Sequence, residues 1–475
     1  MFFFCIFVIF SRNFNKISEK DYPMSSKFIA ADRNTLFLMP PSVQDWLPED
    51  HLARFVVEIV SQLKLQPLRD AYAGRGSRAH NPEILLALLF YGYATGTFSS
   101  RKLERATYDS VAFRYIAANT HPDHDTIATF RKRFLDELKP LFVQILMIAQ
   151  QMGLLKLGKV SLDGTKVKAN ASKHHALSWE HACKLEEQLK GEVEELLRLA
   201  EQADNSTIPD EMSIPDELAR REERLSSIAA AKEEIERRAA ERYAREKDAY
   251  EQKMAERTAK EQETGNKPKG KKPQPPEPGP EKKDQVNLTD EESRIMPTAG
   301  KGFEQAYNAQ AAVDVDTMLI VEAHISQSPN DKQEIFPAVS GLNLLPAELG
   351  KVEEILADAG YYSEGNVSIC ESCQIEPFIP PGRDKHHQPL YERFTRPDPL
   401  PPDADPASKM RYRLKTAEGR AHYAKRKSTV EPVFGIIKHV MRFRQFLLRG
   451  VEAVRGEWTL VSIAWNIKRM FALTV

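Results

Sequence analysis

The sequence has little cysteine and no long hydrophobic run. Its 475 residues include four cysteines, too few for the disulfide framework of a secreted protein, which predicts a reducing compartment, the cytoplasm. The apolar start MFFFCIFVIF is shorter than the roughly 20 residues that span a bilayer, and it lacks the basic region and cleavage site of a signal peptide. We therefore expect no membrane partner and interpret residues 1–23 as an upstream extension.

The chain also lacks a large net charge, but its positive charge is concentrated in one segment. The whole chain has 67 Lys and Arg against 68 Asp and Glu, a formal net charge of -1. Between Lys409 and Arg469, fifteen Lys and Arg stand against four acids. A segment this basic attracts polyanions. At 475 residues the chain is too long for one compact core, so we expect two or three structural units.

Two of the four cysteines form a C-x-x-C pair, Cys370 and Cys373. A four-coordinate zinc site would need two more ligands, and His386 and His387 are the nearest candidates. We favour the simpler interpretation, two ordinary cysteines near a strand and a turn.

Residues from about 45 to 155 carry apolar positions at helical spacing, interrupted by Gly, Pro and Asn. Asp125 is predicted to cap the last of these helices. The third and fourth predicted helices are joined by ANTHPDHD. They form either a helix-turn-helix in which Arg131, Lys132 and Arg133 contact phosphates, or an ordinary bundle with a solvated basic face, and the sequence favours neither.

After the helices, LKLGKVSLDG predicts a strand that ends at Asp163 and Gly164. Removing the charged stretch that follows leaves the order strand, strand, strand, helix, strand, then helices. The predicted fold is therefore α/β, a ribonuclease-H-like mixed sheet with flanking helices, preceded by an all-α domain and interrupted by a helical, coiled-coil-like insertion. The predicted divisions are an extension (1–35), a helical DNA-binding domain (36–153), a catalytic domain (154–177 and 287–475), a helical insertion (178–262) and a Pro/Lys-rich flexible linker (263–286).

Three acids stand in different local patterns. Asp163 and Asp358 follow apolar strand patterns, and Glu431 lies in the basic stretch. In the predicted strand order the first and fourth strands are neighbours, which places the two aspartates together with Glu431 on a helix across them. Two divalent ions about 4 Å apart catalyse phosphodiester chemistry and take such carboxylate ligands. Each acid alone has a structural explanation, as a turn, a backbone acceptor or a first-turn helix residue, but together they favour a metal site that a polyanion approaches.

At these residues the sequence resembles the DDE transposases of bacterial insertion sequences. The resemblance extends from about Leu36 to Met470 and includes the segments LDGTKVKANAS, KGFEQAYNAQAAVD, ADAGYYS and RKSTVEPVFGIIKH. The last segment is the most specific, because the family carries a tyrosine, a basic residue, the catalytic glutamate and a lysine at nearly fixed steps along a helix. Glu431 and Lys438 are seven residues apart, two helical turns on one face.

The upstream part of this pattern leaves one position open. Tyr423 precedes Arg426 by the three residues that the family pattern requires, whereas Lys427 has the usual distance to Glu431. The basic position is therefore either Arg426 or Lys427.

The resemblance implies an activity and its partners. Asp163, Asp358 and Glu431 would bind two Mg²⁺ or Mn²⁺ ions and catalyse cleavage at the element ends and strand transfer. The implied partners are double-stranded DNA, as terminal inverted repeats and target, and further copies of the chain in a homodimer or a higher synaptic assembly. The residues expected to bind DNA are Tyr423, Arg426, Lys427, Lys438, Arg442 and Arg444, with Arg131, Lys132 and Arg133 in the helical region.

Two other functions are compatible with the same residues. A ribonuclease-H-like nuclease without strand transfer would use the same three acids. A domesticated, non-catalytic DNA-binding protein would keep only the basic surfaces, and intact acids at all three positions speak against it.

Overall fold

The computed structural model describes residues 42–72, 79–202, 213–265, 270–298, 302–382, 391, 399–401 and 404–474. The chain divides into two compact units, residues 1–46 and 47–475. The described part of the first unit contains the short 3-10 helix Val43–Trp46. The predicted extension 1–35 and the two histidines of the zinc alternative lie outside the described residues.

The second unit begins with helices, as the sequence predicts. They are α1 (Leu52–Ser61), α2 (Gln66–Asp70), α3 (Pro82–Thr95), α4 (Ser100–Asp109), α5 (Val111–Ile116), α6 (His124–Arg133) and α7 (Leu138–Gln151). Two helices predicted as continuous are broken, one at Ser110, whose backbone is extended, and one between α6 and α7. The predicted cap Asp125 is wrong. Asp123 caps α6 because its extended backbone lets the carboxylate accept a hydrogen bond from the Thr126 N–H.

A mixed sheet follows, with helices packed against it. Its strands are β1 (Leu157–Lys168), β4 (Arg294–Pro297), β5 (Phe303–Asp314), β6 (Ile320–Ser326), β7 (Gly350–Leu356) and β8 (Glu376–Phe378); β2 (Ala176–Ser178) and β3 (Gln285–Asn287) form a separate pair. The order is β6-β5-β1-β7-β8, with β4 also on β5; β1, β5 and β6 are antiparallel, and β1, β7 and β8 are parallel. This order and these directions confirm the ribonuclease-H-like fold.

The helices around the sheet complete one hydrophobic core. They are α10 (Ile335–Asn343), α11 (Glu364–Ser372), α12 (Pro406–Lys415), α13 (Ala417–His439) and α14 (Val451–Thr474). α13 packs against β1 and β5, and α14 packs against β6, α3 and α7. Buried residues of the N-terminal helices and of the sheet belong to the same core cluster. The division into domains stays a prediction.

One predicted strand end is wrong. β1 does not stop at Asp163 and Gly164 but continues to Lys168, because these residues keep pairing with β5 as far as Lys168 with Ala306. The parallel pairing with β7 ends earlier, at Ser161 with Leu356. Asp163 therefore lies where β7 separates from β1, so its side chain is at an opening of the sheet rather than at a turn.

The predicted insertion contains two helices, α8 (Trp179–Gln202) and α9 (Ile214–Thr264). They share a small apolar cluster with the β2–β3 pair. Ion pairs cross between them, Lys232 with Glu186 at 2.7 Å and Arg221 with Glu192 at 2.8 Å. The helical insertion predicted for this stretch is confirmed, and α9 extends well past the part that packs on α8.

Candidate active site

The fold brings Asp163 and Asp358 together. Asp358 comes two residues after β7 and caps a short 3-10 helix, where its carboxylate accepts a hydrogen bond from the Gly360 N–H at 2.7 Å. The register pairs Ser161 with Leu356, and two further steps along both strands lead to Asp163 and Asp358. Burial raises the pKa of Asp163 most, and the charge of Asp358 raises it further, as expected for neighbouring carboxylates.

Asp163 is largely buried and has two polar partners. Its Oδ1 accepts a hydrogen bond from the Gly164 N–H at 2.8 Å, and its Oδ2 accepts one from Arg426 Nη1 at 3.3 Å. Burial raises the pKa of Asp163 to about 6, although the Gly164 N–H and the Arg426 charge lower it. The ionised carboxylate is thus incompletely compensated, and a further cation would stabilise it.

The two candidates for the open position of the sequence pattern lie in different surroundings. Arg426 is buried, and its guanidinium lies between two of the acids, with Nη1 at 3.3 Å from Asp163 Oδ2 and Nη2 at 3.0 Å from Glu431 Oε1. Lys427, the next residue on α13, is exposed. α13 begins at the Thr416 cap and continues through residue 432, a proline, which keeps both contacts on one helix.

Two more predicted residues lie on the same helix. Lys438 Nζ donates to Thr165 Oγ1 at 2.5 Å and to the carbonyl oxygen of Lys166 at 2.8 Å, so the lysine is fixed against β1. Burial and the nearby Lys166 lower the pKa of Lys438. Tyr423 packs on a small apolar cluster that includes Phe378, and burial raises its pKa, while the charge of Arg426 lowers it.

The segment after α13 combines core residues with a basic surface. Phe443 and Phe446 are fully buried, while Arg442 and Arg444 are exposed. Leu447 is 37% exposed. The exposed arginines form a basic surface beyond the C-terminal end of α13.

The basic residues of α6 have other partners. Arg131 Nη1 donates to the Tyr93 hydroxyl at 3.1 Å and to the Phe98 carbonyl at 3.0 Å. Arg133 donates to the Ala71 carbonyl and lies over aromatic rings, whereas Lys132 is exposed. Two of these three side chains therefore bind the protein itself.

The carboxylates suit a hard divalent cation, but their present arrangement is not a closed cage. Within the described residues, no three His, Cys, Asp or Glu side chains are close enough together to hold a metal ion. At this site the acids do not form such a group because the Arg426 guanidinium occupies the space between Asp163 and Glu431. The donor chemistry, three oxygen ligands beside an opening of the sheet, nevertheless fits Mg²⁺ or Mn²⁺.

The cysteine pair supports the simpler interpretation. Burial raises the pKa of Cys370 to about 12, with further contributions from Cys373 and Glu371. Cys373 Sγ accepts a hydrogen bond from Asn343 at 3.4 Å. Because zinc binds the thiolate, a raised pKa disfavours a zinc site here.

Sequence reasoning missed a group of polar residues behind Asp163. Asp331, Asn308 and Gln310 are linked by hydrogen bonds beside Gly164. One signal was available, since YNAQAA carries amides at alternate positions of an otherwise apolar strand.

Two segments match known families. Residues 41–133 match a transposase domain (DUF772), and residues 361–471 match a transposase DDE domain. The chain belongs to the DDE transposases of insertion elements. The second match contains Arg426, Glu431 and Lys438 of this transposase, while Asp163 and Asp358 precede it.

No curated protein and no solved structure matches the transposase. In the part of the chain that the structure describes, no helix is long and apolar enough to cross a membrane.

Proposed function

We propose that this transposase cleaves DNA at the ends of its insertion element and joins the freed ends to target DNA, using Asp163, Asp358 and Glu431. The observation that carries the proposal is the position of two aspartates where β7 separates from β1, faced by a helix with a third acid and two buried or fixed cations. A polyanion can approach such a site because basic groups surround the acids.

The three carboxylates would hold two Mg²⁺ or Mn²⁺ ions. When bound, these ions supply an activated nucleophile and neutralise charge that develops on the scissile phosphate. Asp163 contributes a buried carboxylate whose ionised form needs a cation, and Asp358 contributes a second beside it. Glu431 is about half exposed, so its side chain can reorient once Arg426 has another partner.

Arg426 links the acids to the substrate. Its guanidinium pairs with carboxylates in the structure, and a phosphate offers the same bidentate geometry. Exchange of Glu431 for a phosphate would place the arginine on the DNA and release the glutamate for the cation. Lys438, fixed against β1, would bind a neighbouring phosphate, and Tyr423 a nucleotide beside it.

The exposed cations outside the centre would bind the DNA backbone. Arg442, Arg444, Lys427 and Lys132 are exposed and are assigned to salt-dependent contacts with double-stranded DNA. The helical region 36–153 is the proposed DNA-binding domain, and the arm formed by α8 and α9 is assigned to the assembly of two or more copies on paired element ends. We assign the DNA cleavage and joining reactions to the bacterial cytoplasm.

A nuclease without strand transfer would need the same acids, so the test must separate cleavage from joining. The DNA flanking the gene supplies the substrate, because short inverted repeats on both sides would mark the element ends. Labelled end duplexes are incubated with the transposase, a target plasmid and Mg²⁺ or Mn²⁺. Label joined to the plasmid supports the proposal, whereas cleaved ends without joined product favour the nuclease.

A matched pair of variants controls this assay. Asp358→Asn removes one proposed ligand, and Asp316→Asn removes an acid that is 80% exposed in the β5–β6 turn. Loss of both products in Asp358→Asn alone supports the assignment. Equal activity of Asp358→Asn and the wild type would contradict it.

A further inference from the structure

A second group of polar side chains lies on the other face of β1, behind Asp163. Asn308 and Gln310 are fully buried polar residues of β5. The register pairs Gly164 with Gln310, and it pairs Lys166 with Asn308. These four positions share one face of the sheet, because side chains alternate along a strand. Asp163 points to the opposite face, which α13 covers.

Asp331 joins these residues to one another. It lies in the loop between β6 and α10, and its Oδ1 accepts hydrogen bonds from Asn308 Nδ2 at 2.6 Å and Gln310 Nε2 at 2.7 Å. Lys166 Nζ is 3.3 Å from the same oxygen. A single carboxylate oxygen thus accepts hydrogen bonds from side chains of both β1 and β5.

Gly164 makes this arrangement possible. A Cβ at this position would lie 2.1 Å from Gln310 Nε2 and 2.7 Å from Asp331 Oδ1, closer than such atoms approach. The same glycine follows Asp163 directly and donates its N–H to the aspartate at 2.8 Å. The polar group therefore packs against the backbone that holds Asp163.

Tyr361 connects the group to the two aspartates. Its buried hydroxyl donates to Gln310 Oε1 at 2.5 Å. Burial raises its pKa, and the charges of Asp163, Asp331 and Asp358 raise it further. The three aspartates therefore all lie near one buried phenol, and the charges of Asp358 and Asp331 also act on Asp163.

We propose that Asp331 is a positioning residue of the active site, a fourth carboxylate that holds β1 behind Asp163 and adds negative charge to the cation site. This inference rests on the proposed function, since it assumes that Asp163 and Asp358 hold a cation. Lys166 pairs with Asp331 and opposes its charge. Asp331 and Lys166 thus act on the cation affinity in opposite directions.

The test is the affinity of the full-length transposase for Mn²⁺ without DNA, measured by titration calorimetry. Asp331→Asn keeps an oxygen for all three donors and removes only the charge. We expect Mn²⁺ to bind about fivefold or more weakly, with an unchanged unfolding temperature. Glu353→Gln, which removes an exposed acid of β7, is the matched control and should bind Mn²⁺ like the wild type.

Lys166→Gln is expected to change the Mn²⁺ affinity in the opposite direction, and it tests the inference if Asp331→Asn does not fold. It keeps a donor for Asp331 but removes the competing charge, so Mn²⁺ should bind more tightly. Wild-type affinity in Asp331→Asn, an equal loss in Glu353→Gln, or weaker binding in Lys166→Gln would overturn the inference while leaving the proposed function in place. If the wild type binds Mn²⁺ only with an element-end duplex, the variants are compared in that complex. A wild-type protein that binds no Mn²⁺ either alone or with the duplex would overturn both.

Discussion

Helices α6 and α13 both carry basic residues that the sequence marks for DNA contact, and the fold uses them differently. In α13, Arg426 reaches two acids of the candidate site. In α6, Arg131 is a donor to a tyrosine hydroxyl and a backbone carbonyl inside the helical region. The same residue type therefore pairs with candidate catalytic groups in one helix and stabilises packing in the other.

The difference follows from what each helix packs against. α13 lies on β1 and β5, beside the opening where β7 departs, so its inward polar groups meet carboxylates. α6 packs in the helical region, where Tyr93 already donates to the buried Glu457 at 2.8 Å. A basic cluster indicates a possible DNA surface only when its charged groups are not already satisfied by the protein.

The largest effect should come from the three acids of the candidate site. Asp163→Asn, Asp358→Asn and Glu431→Gln should each lower the rate of end cleavage about a thousandfold, since each removes a charged ligand that we assign to the reacting centre. Single-turnover cleavage of a labelled end duplex measures this, with circular dichroism to verify folding. A folded variant that cleaves at the wild-type rate would remove that acid from the site.

The next effect separates two adjacent residues of α13. Arg426→Gln should slow cleavage about a hundredfold, because it removes the guanidinium assigned to the scissile phosphate. Lys427→Gln is the matched control and should change cleavage less than about threefold, since the exposed lysine is assigned only a salt-dependent backbone contact. If Lys427→Gln were the more damaging change, the assignment made from the geometry would be reversed.

A smaller effect of a different kind is expected in α6. Arg131→Gln should lower the free energy of unfolding by about 2 kcal/mol, because it leaves partly buried acceptors without their charged donor. DNA affinity of the folded variant should hardly change, whereas Lys132→Gln should weaken DNA binding slightly at wild-type stability. Urea unfolding and binding isotherms at two salt concentrations compare the two variants. A large loss of affinity in folded Arg131→Gln would place α6 on the DNA.

Much of the fold could be predicted from the sequence, because strand and helix periodicities follow from which faces are buried. The proximity of Asp163 and Asp358 could be predicted from the strand order. The end of β1 could not be predicted, since Asp-Gly resembles a turn and its pairing with β5 depends on residues 138 to 148 positions away. Neither the contacts of Arg426 with the two acids nor those of Asp331 with β5 could be predicted, because both join side chains of distant segments.

The smallest effect is a dependence of stability on pH. The pKa of Asp163 is about 6 in the folded chain, above its ordinary value of 3.8, so the folded state binds more protons between these values. In the absence of metal, the free energy of unfolding should therefore fall by about 1–2 kcal/mol as the pH rises from 4 to 7, after allowance for partial exposure.

Two variants isolate this contribution in urea unfolding. Asp163→Asn should reduce the slope, whereas Glu353→Gln, which removes an exposed acid of β7, should leave the slope nearly unchanged. An unchanged slope in Asp163→Asn would show that this carboxyl is not the group responsible.

The central claim is that α13 and the opening beside β1 form a cation-dependent active site on DNA. Anomalous diffraction from crystals of the transposase with an element-end duplex and Mn²⁺ tests it most directly. The account predicts Mn²⁺ bound by Asp163 and Asp358, with Arg426 on a DNA phosphate and Glu431 released towards the cation. Mn²⁺ bound elsewhere, with Arg426 still between Asp163 and Glu431 and the DNA away from α13, would contradict it.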